Sequence, residues 1–259
     1  MDSWVQAPLL RQGFGGQAEP ASKGWKTPAR LLCRGGSAKS LNMKSLVLKE
    51  LRHHGPFTLL GALGSVVLIM LLRRFAPDFL STDRAADLFE FTHPLHVVLS
   101  AMVTAALYRN YRAKIEHSKR GILAVVLIGY FGSIGIATLS DCLIPHWGEL
   151  LLGMGQGSHA HIGIIEMPYI INFAALFGIG FAYWYPKTHF PHTGHVLLSM
   201  AASLFHILRT QPGSFSVLEG LGITLFLFVA VWIPCCLSDI VFPLLFIKKE
   251  DLPDDLHHH

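Results

Sequence analysis

The sequence predicts an all-α protein: a polytopic membrane helix bundle of about six transmembrane helices, arranged as a 3+3 inverted repeat with re-entrant or broken segments. Three observations carry this reading. Of 259 residues, 51% are hydrophobic and only 15% charged, and the mean hydropathy is positive, a balance foreign to soluble domains of this size. Several apolar runs approach the roughly 20 residues that a bilayer core requires. Two short motifs, HxxHVxLS and LSDxxxP, each occur twice and in the same order.

The elements follow in chain order. Residues 1–42 are rich in Gly, Ala, Pro, Gln and Lys/Arg and hold no apolar run long enough for a signal-peptide core. They are set apart as a disordered or non-native extension, with Met43 opening the membrane part. Repeat 1 is assigned to residues 43–155, with spans at Phe57 to Leu72, His93 to Tyr108 and Gly121 to Ser140. The piece after Asp141, CLIPHWGELLLGM, is too short to cross and carries Pro145, which predicts a re-entrant or interfacial segment. Repeat 2 is assigned to residues 156–249, with spans at Ile162 to Trp184, His195 to Leu208 and Val217 to Ile247. Pro234 and Pro243 predict that the last is kinked or discontinuous. Residues 250–259 form a tail whose terminal His257 to His259 look like a purification-tag remnant. Lys and Arg near span ends tend to stay cytoplasmic. With six spans, eleven of them fall on one side and four on the other, which puts both termini in the cytoplasm of a prokaryotic inner membrane.

HPLHVVLS at His93 returns as HTGHVLLS at His192, and LSDCLIP at Leu139 returns as LSDIVFP at Leu237, at offsets of 99 and 98 residues. Three spans per half turn the second half over in the membrane, as in many secondary transporters whose substrate sites form between the halves. Four spans per half would make the repeats parallel instead.

Residues three apart share a helix face, so His93 and His96 aim two imidazoles at one point, as do His192 and His195. Imidazole suits Zn, Cu, Fe and Ni, and added carboxylate admits Mn; the expected cofactor is a divalent transition-metal ion, one of Mn, Zn, Fe, Co or Ni. The candidate metal ligands are therefore His93, His96, Asp141, His192, His195 and Asp239. One such pair taken alone more often marks a helix start bonded to headgroups or water; duplication favours the functional reading, as does the cost of placing ionisable groups in a membrane. Candidate pathway residues are Glu149, His161, Glu166 and His206, with Ser100 and Ser199 recurring in the motif. Cys142, Cys235 and Cys236 flank the LSD motifs, either as soft ligands or as inert buried thiols.

The stretches HPLHVVLSAMVTAALYR, LSDCLIP, FPHTGHVLLS and LSDIVFP together resemble prokaryotic multi-span proteins described as manganese or heavy-metal exporters. The resemblance covers residues 43–247 and implies divalent-cation transport through His93, His96, Asp141, His192, His195 and Asp239. This chain is shorter than the ten-span members of that description, and a homodimer would supply the missing wall. The expected partners are the lipid bilayer, a metal ion and a second copy of the chain; the net charge of +4 shows no basic, aromatic-interleaved strip for nucleic acid. Two other functions compete. A membrane-embedded metal hydrolase acting on a lipid or peptide would need one triad with an open coordination position, and a haem carrier would need facing histidines at equal depth.

Overall fold

A computed structural model describes residues 43–76, 81–111, 119–154, 159–185, 189–211, 215–236 and 242–246. The sequence expectations for residues 1–42, for Asp239 and for the tail at 250–259 lie outside these, as does the side chain of His192. Every regular element among the described residues is helical: α1 (Met43–Phe75), α2 (Thr82–Tyr111), α3 (Lys119–Ala137), a π-helical segment (Thr138–Leu143), α4 (Ile144–Leu151), α5 (Gly163–Glu166), α6 (Pro168–Trp184), α7 (His189–Thr210), α8 (Val217–Cys236) and α9 (Phe242–Leu245).

Among the described residues, four stretches are long and apolar enough to cross a membrane: His54–Phe75, Thr82–Arg109, Gly121–Leu151 and Val217–Cys235. The shorter apolar helix α6 carries Tyr169 at one end and Trp184 at the other, both exposed, in the pattern of interfacial aromatic belts. Large apolar side chains are exposed on the surface, while a set of polar side chains is buried among the apolar core. Leu60, Leu68, Phe131, Phe173, Leu221 and Leu225 face outward. His93, His96, Ser100, Asp141, Glu149, His195, Ser199, Ser203 and His206 are buried. Water would favour the reverse; a hydrocarbon surround removes the penalty on outward Leu and Phe and requires every polar group to find a partner inside.

Neighbouring contacts give the helix directions. His96 lies beside His195 while Phe89 lies beside His206, so α2 and α7 run antiparallel. Trp232 Nε1 donates to the Leu51 carbonyl while Gly220 approaches Met70, which makes α1 and α8 antiparallel. Along α2, His93 meets Gly163, Val98 meets Gly178, and Arg109 donates to the Ala182 carbonyl, so α6 runs parallel to α2. Gly178 permits this crossing: a Cβ there would overlap the Val98 carbonyl oxygen.

Two sequence expectations change. Helix α2 starts at Thr82 rather than His93, with the Ser81 hydroxyl accepting the Arg84 N–H at its head. His96 therefore sits at the midpoint of α2, roughly 20 Å from either end at 1.5 Å per residue. The break expected after Asp141 is absent. The backbone passes from α3 through the π segment into α4, where Pro145 occupies the first turn. The Ile144 N–H reaches back to the Leu139 carbonyl, and the Ser140 carbonyl, which Pro145 cannot serve in that register, lies 2.9 Å from the Ser203 hydroxyl of α7, whose one proton it shares with the Ser199 carbonyl at 2.7 Å. Helix α4 closes in a Schellman motif: Gly153 has φ 70, its N–H bonds Leu150, and the Met154 N–H bonds the Glu149 carbonyl at 2.8 Å. A reciprocal Ser216–Glu219 capping box opens α8.

Candidate metal centre

The polar interior is organised by Asp141. The π segment aims its carboxylate between α2 and α7, and the side chain is fully buried. Oδ2 accepts His93 Nδ1 at 2.9 Å and His96 Nδ1 at 2.7 Å. Oδ1 accepts the Ser140 hydroxyl at 2.7 Å and the Ser199 hydroxyl at 2.9 Å. An ionised carboxylate only accepts, so both imidazoles present Nδ1–H to it and carry their lone pairs on Nε2. His96 Nε2 is buried and has no hydrogen-bond partner among the described residues. A buried acceptor in that condition is costly unless something electrophilic meets it. A carboxylate behind one imidazole nitrogen with the other nitrogen directed away is the arrangement that orients metal-ligating histidines.

His96 is joined by His195 and Cys235. The ligand atoms of these three buried residues lie within 4.8 Å of one another, and the His96 and His195 rings are 5.6 Å apart. Cys235 is not in a disulfide. A contraction of the cluster would bring two nitrogens and a sulfur around one ion with metal–nitrogen distances of about 2.0–2.1 Å and a metal–sulfur distance of about 2.3 Å. The donor set thus fits a borderline-soft transition metal. His93 does not enter this group. Its ring stacks on Phe89 at 5.2 Å, and its Nε2 faces Gly163, where a Cβ would collide with it.

A second set of ionisable groups lies where α2 begins and α7 ends. His206 Nδ1 is 3.4 Å from Glu149 Oε1, and His146 Nδ1 is 3.7 Å from Glu149 Oε2. The His161 N–H donates to His206 Nε2 at 3.4 Å, and the His161 ring bonds Glu166 at 2.7 Å. Burial lowers the pKa of His161, while its bond to Glu166 pulls it upward. Phe89 lies between the two sets, stacked on His93 and edge-on to His206 at 5.5 Å.

Of the six ligands read from the sequence, His96 and His195 come together, Asp141 and His93 stand behind them, and Asp239 and the His192 side chain lie outside the described residues. Among the pathway residues, Glu149 pairs with His206, and His161 pairs with Glu166. Ser199 bonds Asp141, whereas the buried Ser100 hydroxyl has no partner among the described residues. Spacing does not rank Cys235 among the three thiols; the packing of α8 against α7, which sets it beside His195 and His96, distinguishes it. The chain thus defines a class by its own features: a helical membrane protein with a buried His–His–Cys cluster. Neither a protein family nor any curated protein or solved structure matches it.

Proposed function

We propose that this protein is an integral membrane transporter of divalent transition-metal cations, built as a 3+3 inverted repeat working by alternating access. One observation carries the reading. His96 and His195 hold the same place in the two copies of HxxHVxLS, and their rings meet at 5.6 Å inside the bundle. Ligands contributed by both halves at their interface are what an inverted-repeat carrier requires. The helix directions support the repeat: α2 and α7, which carry the duplicated motif, are antiparallel central neighbours. Exchanging the halves also carries the α1–α8 contact onto α6–α3.

Cys235 narrows the cargo. A thiolate beside two imidazoles favours zinc-like ions over manganese, whose preference is for oxygen. At the 98-residue offset its counterpart is Ala137, so sulfur comes from one half only. Three protein ligands with a fourth position open would also suit a zinc hydrolase. That reading is disfavoured because a lipid or peptide would have to reach ligands that are fully buried, with His96 and His195 0% exposed and Cys235 1%.

Zinc and cobalt uptake into proteoliposomes tests the proposal. Wild type should carry the ion and His96→Ala/His195→Ala should not, with both variants equally folded. Equal metal flux through both would refute it.

A further inference from the structure

We infer that His159, His161 and Glu166 form a second, more exposed site for a divalent transition-metal ion, at the mouth of a histidine-lined route to the buried centre. The ligand atoms of these three residues lie within 4.8 Å of one another, and the His159 and His161 rings are 4.4 Å apart. Two imidazoles and one carboxylate are an established donor set for zinc-type ions. Exposure grades inward: Glu166 is 34% exposed and His161 16%, while His206 and Glu149 are at 0%. The His161 N–H bonds His206, so the outer set is held directly against the buried His206–Glu149 pair. From His206 to His195 along α7 is eleven residues, roughly 16 Å at the helical rise. Phe89 and His93 fill part of that gap.

The charges nearby admit a cation. Glu149 and Glu166 supply two carboxylates, against the guanidinium of Arg209, which lies over the Phe89 ring at 5.4 Å. His146, 6.5 Å from His206 between ring centres, adds an imidazole on the α4 side. The role of the outer set as a loading station rests on the buried centre being a metal site. Its ability to bind an ion does not.

Cobalt(II) titration of the full chain separates the two. A cobalt ion held by Cys235 gives a thiolate charge-transfer band; one held by His159, His161 and Glu166 gives none. His161→Ala and Glu166→Gln should each lose about one bound equivalent relative to wild type and keep the band. The terminal histidines contribute equally to every variant and drop out of the comparison. Cys235→Ser should lose the band and keep the outer ion. Unchanged stoichiometry in both His161→Ala and Glu166→Gln would overturn the outer site. A band that survives Cys235→Ser would instead sink the reading of the buried centre and leave the outer site standing.

Discussion

Replacing Asp141 with Asn tests how the buried centre is built, because it changes one atom and almost no volume. The carboxylate accepts four hydrogen bonds, two from imidazoles and two from hydroxyls. An amide can keep its oxygen toward Ser140 and Ser199, which turns its NH2 toward His93 and His96. Those two Nδ1–H groups would then face donors, and each ring would have to move its proton to Nε2 to receive the amide. At His96, Nε2 is the nitrogen that the Asp141 bond leaves for an ion shared with His195 and Cys235, so the substitution protonates the nitrogen meant for the ion. Loss of such a supporting carboxylate costs about 10–100-fold in metal affinity, or about 1.4–2.7 kcal/mol at 1.36 kcal/mol per tenfold. Two charge-assisted hydrogen bonds are weakened as well, at about 1.5–3 kcal/mol each, so the fold should also lose stability. Competition against a chelator in detergent measures the first effect and thermal unfolding the second. Zinc affinity within about twofold of wild type, in a folded Asp141→Asn protein, would refute the account of how His96 is oriented.

Other perturbations read other parts of the structure. Ser203→Ala removes the donor that covers the Ser140 carbonyl opposite Pro145, and should cost about 1–3 kcal/mol in denaturant unfolding; no loss would mean that the π segment needs no such cover. Gly178→Val drives a side chain into the Val98 carbonyl at the α2–α6 crossing, and should lower the unfolding temperature by the equivalent of about 1–3 kcal/mol or more. An unchanged temperature would contradict the close approach. Folding favours neutral His161, whose pKa burial holds below its ordinary 6.5. That contribution is complete above the ordinary value and is lost as pH falls below it. The stability advantage of wild type over His161→Gln should therefore shrink on acidification, and an advantage that grows would reverse the sign.

The sequence made the membrane class legible because composition and run length are local properties. Four of the six expected spans coincide with described helices long and apolar enough to cross a membrane. Their ends are not legible in the same way. Pattern reading started the second span at His93, where polarity drops, but the described helix begins eleven residues earlier at Thr82, since a spanning helix can extend beyond the hydrocarbon with residues such as Asp83 and Arg84. The difference matters chemically: it moves His96 from a water-facing helix start to the helix midpoint. Pro145 likewise read as a break. The residue that offsets its missing N–H is Ser203, far along the chain on α7, and no local window contains it.

The candidate centre was legible only where it was duplicated. His96 and His195 stood out because the motif repeats, and Asp141 because its LSD context repeats. Cys235 has no counterpart, and nothing near it in the chain distinguishes it from Cys236. The three-residue spacing from His96 groups His93 with the ligands. Helical geometry allows that, yet the Asp141 carboxylate draws both Nδ1 atoms to one oxygen while Gly163 closes over the far side of His93. Spacing therefore found the right face of α2, and tertiary packing decided which imidazole joins His195 and Cys235.

X-ray absorption at the zinc edge, on protein loaded with one equivalent of zinc, tests the central claim most directly. Coordination by His96, His195 and Cys235 predicts a shell with one sulfur at about 2.3 Å and imidazole nitrogens at about 2.0–2.1 Å, with the sulfur absent in Cys235→Ser. A shell of nitrogen and oxygen alone in the wild-type protein would contradict it.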